Sequence, residues 1–112
     1  SNIKTIQSTG EFSREQKLSL MKSLMWDYNI PPEHCLEVLV GTREFAGHYN
    51  EKTLFRKLIE SFRWFTVLKI LPLDRILILL TDDVIKSLRF KSISKHYEFI
   101  RKEIQRDLSV TG

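Results

Sequence analysis

Apolar residues recur at intervals of three and four along almost the whole chain, the spacing of one face of an α-helix, while the period-two alternation of a half-buried strand is scarce. Ser13, followed three residues later by Gln16, predicts the start of a first helix, because each side chain can take up a backbone N–H left without a partner in the first turn. That helix is expected to run to about Trp26. Residues 29–32 interrupt it, and Pro32 suits the first position of a second helix, where its missing N–H is no loss. Leu36, Leu39 and Val40 form the buried stripe of this second helix, and Gly41 ends it. Residues 42–49 read as the one substantial internal loop, with Gly47 as its turn residue.

Asn50 can cap a third helix, in which Leu54, Phe55, Leu58, Ile59 and Phe62 share a face. Trp64, Val67, Leu68 and Leu71 mark a fourth. Pro72 forces a break, after which Leu73, Ile76, Leu77 and Leu80 mark a short fifth. Thr81 with Asp82 and Asp83 behind it is a helix-start signature, a capping hydroxyl followed by negative charge at the positive end of the helix dipole. Val84, Ile85 and Leu88 face inward from this sixth segment. The last helix is predicted over residues 94–108, with Ile93, Tyr97, Ile100, Ile104 and Leu108 as its stripe and Lys95, Lys102, Gln105 and Arg106 on other faces. The fold class that follows is all-α: six or seven short helices in an irregular bundle or a stack of helical hairpins. Residues 1–10 are polar and aperiodic and are expected to be a disordered leader. Residues 11–108 form the single helical domain, and 109–112 a flexible tail.

A chain of 112 residues with 42% apolar residues and twelve aromatics suffices for one core. Cys35, the lone cysteine, cannot form an internal disulfide, which fits a reducing cytoplasm. The most apolar window, residues 64–80, is interrupted by Lys69, Pro72, Asp74 and Arg75, so it falls short of the ~20 apolar residues that span a bilayer as one helix.

Charge changes this picture more than composition does. Residues 1–85 hold eleven Lys or Arg and eleven Asp or Glu, whereas residues 86–106 hold seven basic residues against Glu98 and Glu103 alone. All of the net +4 therefore arises in the last quarter, and clustered like charge favours anionic partners. Lys86, Arg89, Lys91, Lys95, Arg101, Lys102 and Arg106 are the candidates for nucleic-acid contact. They are not expected to share one face: Lys95 and Lys102 nearly align, while Lys91 precedes the predicted last helix. Helix, turn over residues 89–93 and longer helix together resemble a helix-turn-helix outline, in which basic residues of the second helix touch phosphates. A plain solvated helix face is the alternative.

Candidate catalytic chemistry is thin. His34, Cys35, His48 and His96 lack any metal-binding spacing, and there is no GxSxG or glycine-rich phosphate loop. Asp82 and Asp83 are explained by capping. The expectation is a protein without catalytic residues, metal or cofactor. In the run 76–80 all five residues are apolar, more than a surface helix buries, so Ile78 and Leu79, together with Phe65, are candidates for meeting another protein or a second copy of this chain. Otherwise this segment is a central helix covered by the first and last helices.

Leu24-Met25-Trp26-Asp27, Leu54-Phe55-Arg56-Lys57-Leu58, Arg63-Trp64-Phe65-Thr66-Val67-Leu68 and the basic closing stretch Leu88-Arg89-Phe90-Lys91-Ser92 resemble a family of small uncharacterised bacterial all-helical domains with a Leu-x-Trp-Asp element. The resemblance covers roughly residues 20–103. Members resemble accessory, antitoxin-like neighbours of the nucleotidyltransferase toxins of abortive-infection systems. What the resemblance implies is a partner-binding, antitoxin-like role, with no functional residues to carry over. The expected function is thus a non-enzymatic cytoplasmic module that binds another protein, with nucleic-acid binding through the basic C-terminal segment as the alternative.

Overall fold

The computed structural model of the chain describes residues 11–25 and 29–111, with side chains through Arg106. Seven helices are present among the described residues: α1 (Arg14–Leu24), α2 (Pro32–Val40), α3 (Glu51–Ser61), α4 (Trp64–Ile70), α5 (Leu73–Leu79), α6 (Asp82–Lys86) and α7 (Lys91–Thr111). The fold is all-α. The only pairing of extended backbone described is an isolated bridge between Ala46 and Tyr49 in the loop after α2.

Local chemistry sets most of the boundaries. Gln16 N–H donates to Ser13 Oγ at 3.2 Å and Ser13 N–H donates to Gln16 Oε1 at 2.8 Å, closing the expected capping box of α1. Asn50 and Thr53 do the same for α3, at 2.9 and 3.1 Å. Thr81 Oγ1 accepts from Val84 N–H at 3.3 Å to start α6. Gly41 ends α2 with φ of 95°, and Thr42 N–H donates to Glu37 O at 2.9 Å, the six-to-one bond of a Schellman motif. Proline at 72 pushes Leu71 into extended backbone, φ −126° and ψ 146°, which separates α4 from α5.

One long-range contact joins three of these elements. Arg75, on α5, donates from Nε to Leu39 O at 2.7 Å and from Nη2 to Glu51 Oε2 at 2.7 Å. It thereby satisfies a carbonyl that the end of α2 leaves open and pairs with the first turn of α3. A Cβ at Gly41 would come within 3.1 Å of the guanidinium carbon.

α3 lies in the middle, in contact with α2, α4, α5 and α6; α1 packs on α2, and α7 lies across α5 and α6. Leu54, Phe55 and Leu58 of α3 are fully buried. Burying side chains of this size stabilises by about 1.5–3 kcal/mol each relative to exposure.

Some boundaries differ from expectation. α1 ends at Leu24 with Met25 as its C-cap, two residues before Trp26. α7 covers α5 as expected, but α3 rather than α1 is the other main partner of α5. α7 begins at Lys91, three residues before the predicted start, and its backbone continues through residues 109–111, where a tail was expected. Residues 1–10, expected to be a leader, and the side chain of Leu108 lie outside the described residues. No helix among the described residues is long and apolar enough to cross a membrane.

Candidate functional site

No charged residue is buried as a whole among those described, so the charged chemistry lies at the surface. The basic segment is where surface polarity becomes asymmetric, and its geometry depends on where α7 starts. Arg89 N–H donates to Glu60 Oε2 at 2.7 Å, fixing the turn against the end of α3. Ser94 Oγ donates to Ile85 O at 2.9 Å, tying the first turn of α7 to α6. Phe90 O accepts the Ser94 N–H at 3.0 Å and opens the helical ladder. Held at both ends, residues 87–90 make the whole turn, and Lys91 is already helical.

That early start changes which cations share a face. At about 100° per residue, Lys91, Lys102, Lys95 and Arg106 fall within an arc of about 60°, and a rise of 1.5 Å per residue spreads them along about 22 Å. Phe99 lies on the edge of the same arc. Ile93, Tyr97, Ile100 and Ile104 occupy the opposite face, with the last three buried and Ile93 partly so. Tyr97 meets Trp64 edge to face, ring centroids 5.9 Å apart, and burial pushes its phenol from 10 up to about 12. The basic arc is thus the outward side of a helix whose other side is locked to the body.

Lys91, Lys95 and Lys102 are exposed and take part in no ion pair among the described residues. Arg106 is exposed and contacts Glu103. Glu98, exposed beside Lys91 and Lys102 on the helix surface, borders the arc on one side, and Glu103, the partner of Arg106, lies beyond its other edge. The expectation that Lys91 stands apart from Lys95 and Lys102 is therefore corrected.

The other three basic candidates are not brought to this face. Lys86 is exposed at the end of α6, and Arg89 is exposed in the turn. Arg101 lies on the flank of α7, largely covered, and pairs with Asp82 at 2.5 Å. Its Nε is buried without a hydrogen-bond partner among the described residues. Arg101 therefore spends its charge in holding α7 to α6.

Of the apolar candidates, Phe65 is 68% exposed and Ile78 61% exposed, whereas Leu79 is 4% exposed. Leu79 is a correction: α5 is enclosed by α3 and α7 on two sides, so Leu73, Ile76 and Leu79 all turn inward and Ile78 alone is in excess. Sequence reasoning missed Phe99, 62% exposed on α7. The available signal was an aromatic on the polar side of the helical wheel.

Cys35 is fully buried, and burial pushes its thiol up from the ordinary value. His34 is half-buried, and the exposed rings of His48 and His96 lie against Tyr49 and Tyr97. Among the described residues, no group of three or more His, Cys, Asp or Glu could hold a metal ion. An open cleft of about 540 Å³ follows α2, lined by Gly41, Arg43, Glu44, Asn50 and Lys52 among others, and none of the predicted site residues borders it. Comparison of the chain with protein-family models, curated proteins and solved structures finds no match.

Proposed function

We propose that this chain is a non-enzymatic binding module that takes nucleic acid on the outward face of α7. The observation that carries this reading is the alignment of Lys91, Lys95, Lys102 and Arg106 along one arc, three of them without a carboxylate partner among the described residues. A solvated helix face usually intersperses its cations with acids three or four residues away; along this arc only Glu98 and Glu103, the partner of Arg106, do so among the described residues. A phosphate backbone offers a matching row of negative charge, and neutralising it releases condensed counterions.

Gel retardation across a salt series tests the proposal. Affinity is expected to fall with salt at a double-logarithmic slope of about −3 to −4 for four phosphates. Reversing Lys95 and Lys102 to Glu removes two contacts and adds two repulsions, which is expected to lower affinity at least about tenfold at low salt. Glu98→Lys is expected to tighten binding and steepen the slope by about one. Retardation unchanged in the double reversal overturns the proposal.

A second reading keeps the antitoxin-like role implied by the sequence resemblance, with a nucleotidyltransferase-type toxin as partner. It is supported by the exposure of Phe65 and Ile78, two large apolar side chains on separate short helices. Co-expression with such a toxin is expected to yield a complex that Phe65→Asp with Ile78→Asp dissolves. A complex that survives the double change removes these residues from the interface.

A further inference from the structure

We propose that Phe99 makes the α7 face selective for single-stranded nucleic acid, its ring serving as a platform for an unstacked base while Lys95, Lys102 and Arg106 hold the flanking phosphates. The inference rests on the nucleic-acid reading of α7 and names the form of the ligand.

The placement of one side chain supports it. Phe99 is one helical turn from Lys95 on one side and from Lys102 on the other, since i−4 and i+3 neighbours lie next to each other on a helix surface. Its ring is 62% exposed, although the apolar face of α7 is already filled by Ile93, Tyr97, Ile100 and Ile104. The phenyl group therefore contributes little to the core and stands in water between Lys95 and Lys102, with Glu103, drawn to Arg106, on its far side. Basic grooves that bind single strands combine these two features, cations along the backbone and an exposed aromatic face for a base.

The duplex is the poorer match. Its bases are stacked on each other, and exposing one to a ring on a helix surface costs the free energy of unstacking it. A face that acted through charge alone would instead favour the duplex, whose charge density is higher and whose salt slope per contact is steeper, about −0.9 against −0.7. Preference for a single strand is therefore diagnostic of Phe99, and it separates this inference from the electrostatic reading beneath it.

The experiment is fluorescence anisotropy with the full chain, a labelled oligo(dT) strand, a duplex of the same length, and vesicles of phosphatidylglycerol as competitor. The expected result is tighter binding of the strand than of the duplex. Phe99→Ala is expected to weaken strand binding at least about fivefold, the low end of what base stacking on an aromatic is worth, with duplex binding unchanged. Phe99→Trp is expected to retain strand binding, and Phe45→Ala, which removes an exposed ring from the loop after α2, to behave as the parent. If Phe99→Ala weakens strand and duplex alike, or neither, the stacking role is overturned while charge-driven binding stands. If the parent binds neither, the reading of the α7 face as a nucleic-acid surface fails and the inference falls with it. Phe99-dependent binding to the vesicles, with no Phe99 effect on the oligonucleotide, overturns it in favour of an anionic membrane surface.

Discussion

Tyr97 shows how closely α7 is sealed onto the body. Its ring is buried against Trp64, and loss of water around the phenol raises its pKa from 10 to about 12. A folded-state value above the unfolded one means that the unfolded chain gives up this proton first as pH rises. The stability contributed is whole below about pH 10 and is lost as pH climbs through about 12. Cys35, whose thiol is also raised by burial, adds a loss of the same sign, so the tyrosine is isolated only by comparison with a variant. Tyr97→Phe is expected to match the parent in thermal midpoint at pH 7 and to lose less of it above pH 10, with the phenol that ionises at about 12 absent from the ultraviolet titration. A variant that tracks the parent through the alkaline range would show that this phenol titrates as if in water.

The start of α7 decides what that helix can do. Lys91 sits in its first turn, where the helix dipole is positive and a cation is unfavourable, and no acidic residue offsets it there. Lys91→Glu is therefore expected to stabilise the fold by about 0.3–1 kcal/mol while weakening nucleic-acid binding. Thermal melting and anisotropy should move in opposite directions, and a loss in both would mean that Lys91 supports the helix rather than the ligand. The caps at Ser13, Asn50 and Thr81 were legible in sequence because the groups that satisfy each helix start lie within three residues of it. The start of α7 was not, because it is fixed by Glu60 and Ile85, which belong to other elements. The stripe of Ile93, Tyr97, Ile100 and Ile104 marks a buried face without marking where the helix begins, so from sequence alone Lys91 reads as turn. Arg75 was silent for the same reason, since its acceptor at Leu39 is 36 residues away. Leu79 looked surplus only while α5 was taken as a surface helix with one covered side.

At the scale of the whole molecule, core and charged face are separable, because the interior is apolar among the described residues while the basic arc is entirely exposed. α3 is the element through which the rest is connected: α2, α4, α5 and α6 touch it, and α7 rests on two of those. Leu58, fully buried on α3, is therefore a test of the scaffold as a unit. Leu58→Ala removes core volume that the neighbouring helices cannot fully refill, at a cost of about 2.7–5 kcal/mol. Domains of this size are stable by about 5–15 kcal/mol, so the thermal midpoint is expected to fall by at least about 10 °C. Helical circular dichroism and tryptophan fluorescence should fall in one transition, and nucleic-acid binding should vanish at that same temperature. Reversal of Lys95 and Lys102 should do the opposite, weakening binding at least about tenfold while shifting the midpoint far less than Leu58→Ala, since the cost to the fold is confined to exposed like-charge pairs with Glu98. If Leu58→Ala instead produced two transitions, with α7 helicity outlasting the fluorescence change, the last helix would be an independent unit and its basic face would need no scaffold to present it.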